Sequence, residues 1–219
     1  MTIRAVVFDI GGVLAIAPGG GEPTAAFPRM LATWEARLHM RPGELTTRLV
    51  ELDERLDSPG PDGRPGTCSE AEWQAAVGLA TGMDQAQLAA FVDDFWDIYL
   101  GEPNVELTAY FASLRPRYHT ALLSNSSFGA REREQARYHF AELCDLIIYS
   151  HEEGIAKPDR RIFDLTCERM GTQPAEMIFL DDAKQHLAAA RELGIHAILF
   201  RETAQAIADI RACLQAHAS

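Results

Sequence analysis

The sequence predicts an α/β protein: a Rossmann-like parallel sheet core with an inserted helical cap domain. Three observations predict it. Five short apolar runs, at residues 4–8, 119–123, 146–149, 177–180 and 196–200, include nearly continuous ones, the mark of parallel strands covered on both faces. Helix-period stretches separate the last four, and strand–helix alternation at this spacing builds a doubly wound sheet. Between the first run and the second, about residues 17–115 show helical periodicity and no convincing strand.

The elements follow in order. The opening MTIRAVVFDIGGVLAI carries an Arg and then an acid within its apolar stretch, so it reads as a first strand and not as a secretory leader. Helical patterns follow at 28–38, 44–56, 69–80, 84–100 and 105–114. Ser69 with Glu72 makes a capping-box start, and Asp84 with Gln87 a similar one. The fifth pattern can serve as the crossover into the second strand. The remainder is too long for an ordinary loop. We therefore expect an α/β core from residues 1–16 and 103–219, with residues 17–102 as a helical cap over one end of the sheet. Within the cap, DSPGPDGRPGT at 57–67 can neither build a helix nor bury much, and is expected to be a mobile surface loop with a conceivable gating role. Beyond the cap, helices are expected at 128–141, 160–170 and 184–193, with a last one at 203–217.

Composition narrows the function. The 219 residues carry 20 Lys+Arg against 32 Asp+Glu, a formal net charge of −12. That charge argues against non-specific binding to nucleic acid or an anionic membrane. No run approaches the roughly 18 apolar residues of a membrane span. Cys68, Cys144, Cys167 and Cys213 form no C-x-x-C and no zinc spacing, and isolated cysteines behave as small buried hydrophobes. A reducing cytoplasmic location is the expectation.

In open α/β sheets the ligand sits beyond the carboxyl ends of the strands. Asp9 follows the first run, Ser124 and Asn125 the second, and Asp181–Asp182 the fourth; Lys157 lies past the third, in GIAKPD. Singly, each has an ordinary structural reading: a turn or cap, a helix start, a solvated loop lysine. Jointly they deliver polar groups from four strands to one edge. Clustered carboxylates repel and raise one another's pKa. A hard divalent cation resolves this, and Mg²⁺ favours a few carboxylates, a carbonyl and waters. Lys157 adds fixed positive charge. Ser124 and the backbone N–H groups after Gly11 and Gly12 can meet a phosphate. The set fits phosphoryl transfer, with a carboxylate nucleophile shielded from an anionic substrate.

VVFDIGGVL, LLSNSS, GIAKPD and IFLDD, in that order, resemble the four motifs of the haloacid dehalogenase (HAD) superfamily. The long insert resembles the cap of its helical-cap subgroup, and the motif wording is similar to phosphatases related to the N-terminal domain of soluble epoxide hydrolase. The resemblance implies a Mg²⁺-dependent phosphatase acting on a small phosphorylated metabolite through an aspartyl-phosphate. With the charge balance above, no nucleic-acid or membrane partner is expected, and the protein is expected to be a monomer or homodimer. The resemblance also assigns roles. Asp9 is the nucleophile and a metal ligand, the Gly11 carbonyl and Asp182 are further ligands, and Asp181 acts directly or through water. Ser124 and Lys157 steady the phosphoryl group, with Gly12 and Asn125 beside it.

One departure stands out. Most phosphatases of the superfamily have D-x-D at the first motif, and the second Asp protonates the leaving oxygen and then activates water. Here the sequence is Asp9-Ile10-Gly11, which implies a slow reaction or one restricted to good leaving groups, unless His151, Glu152 or a cap residue substitutes. Two alternatives remain: a metal-free 2-haloacid dehalogenase, with Asn125 and Trp34 as halide-pocket candidates, and a fold kept for binding or regulation. Trp34, Trp73 and Trp96 are expected to pack the cap.

Overall fold

Ala5–Phe8 (β1) forms the central strand, and its four side chains are fully buried because neighbours flank it and helices cover both faces. Around it lie His119–Ser124 (β4), Leu146–Tyr149 (β5), Met177–Asp181 (β6) and His196–Leu199 (β7). The sheet is parallel throughout, in the order β5-β4-β1-β6-β7. The computed structural model describes residues 2–16, 23–58 and 66–218. Most of the Pro/Gly-rich segment expected as a surface loop, residues 59–65, lies outside them.

Alternation along β1 divides the core. Val6 and Phe8 join a cluster with Leu107 and Phe111 from α5 (Val105–Ser113) and Ala206 and Ile210 from α11 (Thr203–Ala216). Ala5 and Val7 join Ile162, Phe163 and Cys167 from α9 (Arg160–Met170) and Leu187 and Ala190 from α10 (Lys184–Glu192). Burial pushes the Cys144 and Cys167 thiols up to about 11, as expected of cysteines that serve as packing.

The cap consists of α1 (Pro23–Arg37), α2 (Glu44–Leu56), α3 (Glu70–Thr81) and α4 (Gln85–Leu100). Both sequence-predicted capping boxes form, Ser69 with Glu72 and Asp84 with Gln87. Glu35, buried on α1, accepts the N–H groups of Gly43 and Leu45, so it caps α2 from a neighbouring helix. The three tryptophans pack as expected. Their indole N–H groups donate to Asp94 (Trp34), Asp53 (Trp73) and Glu70 (Trp96).

Two features tie cap to core. A ribbon of Ala15–Ile16 (β2) against Glu102–Pro103 (β3) closes the stem of the insert, and neither strand was visible in the sequence pattern. The second tie is α6 (Ala130–Tyr138), which continues into the short α7 (Phe140–Leu143). Arg133 on α6 donates to both Glu70 carboxylate oxygens, at 3.0 and 2.7 Å, and lies 4.0 Å from the Trp96 ring. Gly129, at φ +72°, makes this possible, since a Cβ there would stand 2.2 Å from the Arg133 guanidinium.

Candidate active site

The sheet register sets the site. Phe8 lies opposite Leu122 on one side and Leu180 on the other, so the next residue, Asp9, emerges beside the ends of β4 and β6. The chain reverses direction across the sheet here, which opens a crevice at the strand ends. Lys157 reaches the same point from the loop after α8 (Ser150–Glu153).

Lys157 is buried, and all three of its N–H donors are used. They go to Asp9 Oδ1 at 2.8 Å, Asp181 Oδ2 at 2.8 Å and the Leu123 carbonyl at 2.9 Å. Burial alone would lower its pKa, yet Asp9 and Asp181 hold it above the ordinary lysine value. Asn125 fixes its backbone. The Asn125 amide donates to the Lys157 carbonyl and accepts the Lys157 N–H, both at 2.9 Å. Asn125 thus positions the lysine while lining the cavity.

The carboxylates divide unequally over this single ammonium. Asp181, although buried, is held below the usual range by Lys157 and by His186, whose Nδ1 lies 3.1 Å from both its oxygens; it also accepts the Ala183 N–H at 2.7 Å. Asp9 is pushed up by burial and by the charges of Asp181 and Asp182, against the pull of Lys157. Partial desolvation and Asp181 likewise push Asp182 up. Asp182 folds back over Gly12, where a Cβ would stand 2.2 Å from its Oδ2; Gly12 has φ +76°. Ligand atoms of Asp9, Asp181 and His186 fall within 4.8 Å of one another. Three acids around one cation leave negative charge unmet, and this carboxylate-rich set, with the His186 ring nitrogen beside it, fits a divalent cation.

A cavity of about 340 Å³ opens on this cluster. Asp9, Gly11, Gly12, Ser124, Asn125 and Asp182 line its polar end, and Ile16, Phe27 and Ile98 give it apolar walls on the cap side. Six of the eight residues singled out in the sequence therefore line the cavity, and Lys157 lies behind it, bonded to Asp9. Asp181 is withdrawn behind them with Lys157. The structure brings neither proposed acid–base substitute into the cavity lining. His151 Nδ1 is 2.7 Å from Ser126 Oγ, and Glu152 pairs with Arg131 at 2.6 and 2.7 Å. Trp34 does not line it either. Tyr99, Glu134, Gln185 and His186 do, and none was read from the sequence.

The family model for haloacid dehalogenase-like hydrolases matches residues 3–194. The chain belongs to this family. Among HAD relatives it is 29% identical over 225 residues to acyl-CoA dehydrogenase family member 10 of Mus musculus, covering 96% of this chain and 19% of that protein. It is 26% identical over 231 residues to bifunctional epoxide hydrolase 2 of Sus scrofa, covering 96% and 38%. The chain thus spans well under half the length of these two relatives. It is also 26% identical over 202 residues to D-ribitol-5-phosphate phosphatase of Bacteroides thetaiotaomicron, covering 88% and 89%. A HAD family enzyme from the same bacterium shares the fold, with a TM-score of 0.69 at 20% identity over 92% of this chain and 95% of that one. That enzyme has also been crystallised with magnesium and inorganic phosphate. Among the described residues, no helix is long and apolar enough to cross a membrane.

Proposed function

We propose that this HAD hydrolase is a Mg²⁺-dependent phosphatase that cleaves a small phosphate monoester through an aspartyl-phosphate on Asp9. The observation that carries the reading is Asp9, buried between Lys157 and a second acid pair, facing a cavity whose other polar walls are Gly11, Gly12 and Ser124. The full-length likeness to a phosphatase of a polyol phosphate supports it, as does the magnesium and phosphate complex of the B. thetaiotaomicron enzyme. We take residues 17–102 as the cap and 1–16 with 103–219 as the core.

Asp9, the Gly11 carbonyl and Asp182 would hold Mg²⁺. Bound there, it would neutralise phosphoryl charge and the repulsion between substrate and nucleophile. An Asp9 carboxylate oxygen attacks phosphorus, and the ester oxygen departs with the bonding electrons. Lys157 favours the ionised form of Asp9 against burial and orients it, and Asn125 keeps Lys157 in place. Ser124, at the end of β4, donates to a phosphoryl oxygen. Water then cleaves the acyl phosphate and restores Asp9. Gly11 has no side chain to protonate the departing oxygen, so good leaving groups are favoured.

The test is hydrolysis of p-nitrophenyl phosphate by the purified protein with Mg²⁺, with EDTA, and in Asp9→Asn. Activity that needs the metal and disappears in the variant supports the reading. Metal-independent chloride release from a 2-chloroacid would replace it with dehalogenation. Inactivity across a broad ester panel would leave a binding role.

A further inference from the structure

The cap-side cavity wall contains a charged group that the reaction above does not use. Glu134, on α6, is only 3% exposed and lines the cavity. Its Oε2 accepts the Tyr149 hydroxyl at 2.7 Å. Its Oε1 has no hydrogen-bond partner among the described residues. That oxygen is not among the fully enclosed unpartnered polar atoms of the described residues, so it is left open to the cavity that Glu134 lines. Arg131, the guanidinium on the same helix whose charge acts on Glu134, is committed to Glu152. Tyr149 faces Glu134 from β5 and Tyr99 from the cap helix α4. Tyr99 lines the same cavity as Asp9 and Glu134 and feels the charge of both. Glu134 and Asp9 thus line one cavity from different elements, α6 and the end of β1.

We infer that Glu134 determines specificity, reading a hydrogen-bond donor, hydroxyl or ammonium, on the organic part of the ester. This rests on the phosphatase reading. The Tyr149 contact occupies Oε2 and leaves Oε1 for a ligand, in a cavity whose other walls include Ile16, Phe27 and Ile98. A purely apolar leaving group would leave that oxygen desolvated and unpaired, and the site would reject it.

Three aryl phosphates of similar size and leaving ability test this: 4-methylphenyl, 4-(hydroxymethyl)phenyl and 4-(aminomethyl)phenyl phosphate, each with Mg²⁺. In the wild type, kcat/KM should favour one or both polar esters over the methyl ester by about 10- to 100-fold, chiefly through KM. Glu134→Leu should reverse that order. Glu134→Gln, which keeps the volume, should retain the hydroxyl preference and lose the ammonium preference. Burial pushes the Glu134 carboxyl up to about 7, so a preference for ammonium should grow between pH 6 and 8 and one for hydroxyl should not. Equal kcat/KM for the three esters, or an unchanged order in a folded Glu134→Leu, overturns the inference and leaves the phosphatase reading standing. Failure to hydrolyse any of them, or p-nitrophenyl phosphate, overturns the phosphatase reading itself.

Discussion

Gly11→Asp should convert a phosphatase limited by its leaving group into a more general one. A Cβ built on Gly11 meets nothing within 4 Å, Gly11 lines the cavity, and its φ is outside the left-handed region. The neighbouring position is the contrast: at Gly12 a Cβ would collide with Asp182 in a backbone that side chains disfavour. The new carboxyl would join Asp9 and Asp182. At a separation of about 6 Å and an effective dielectric of about 20, one such neighbour costs the ionised form about 3 kcal/mol, or about two pKa units. That shift keeps the new group protonated closer to neutral pH, as a proton donor requires. A positioned acid contributes about 10²–10⁴-fold. The assay is kcat with Mg²⁺ for an alkyl phosphate and for p-nitrophenyl phosphate, wild type against variant. The alkyl ester should gain at least about 10²-fold and the nitrophenyl ester little. A folded, Mg²⁺-responsive variant with no gain on the alkyl ester would refute the claim that the missing acid limits the reaction.

Other substitutions probe the supports of the site. Lys157→Met leaves Asp9 and Asp181 buried without their cation and should cost about 3–5 kcal/mol in urea unfolding, along with nearly all turnover. Retained stability would show that the pair is not held as described. Asn125→Ala removes both hydrogen bonds to the Lys157 backbone; it should cost about 1–3 kcal/mol and lower kcat more than it raises KM. Glu134 is raised from an ordinary 4.5 to about 7 on folding, so the folded protein holds more protons through that window. Its contribution to stability therefore falls as pH rises through the window, by about 3 kcal/mol. Glu134→Gln should lack this slope, so its stability relative to wild type should improve from pH 4.5 to pH 8. Parallel unfolding curves across that range would contradict it.

What the sequence shows of this molecule follows from where each residue lies. Asp9, Ser124, Asp181 and Asp182 sit at or just beyond strand ends, and a buried parallel strand advertises itself as an unbroken apolar run. The rule that ligands gather past such ends does the rest. Glu134, Tyr99 and His186 reach the cavity from helices, where packing and not order along the chain decides which side chain turns inward. Glu134 sits in REREQAR, which reads as a solvated charged face. One signal was available: Glu134 lies four residues after buried Ala130, on the inward stripe of α6. The β2–β3 ribbon is too short to show a period. The helix at 23–37 begins before its Pro28, which tends to read as a start.

The position of α6 has a consequence for how this protein can change. Arg133 fastens the helix to the cap through Glu70, and one turn later Arg137 donates to the Gly101 carbonyl at the end of α4. Between them, Glu134 forms cavity wall. A displacement that loosens the cap to release product also moves that wall. If the cap moves to release product and Glu134 reads the leaving group, as proposed, residence time and selectivity share one short helix, and weakening the Arg133–Glu70 pair should change both.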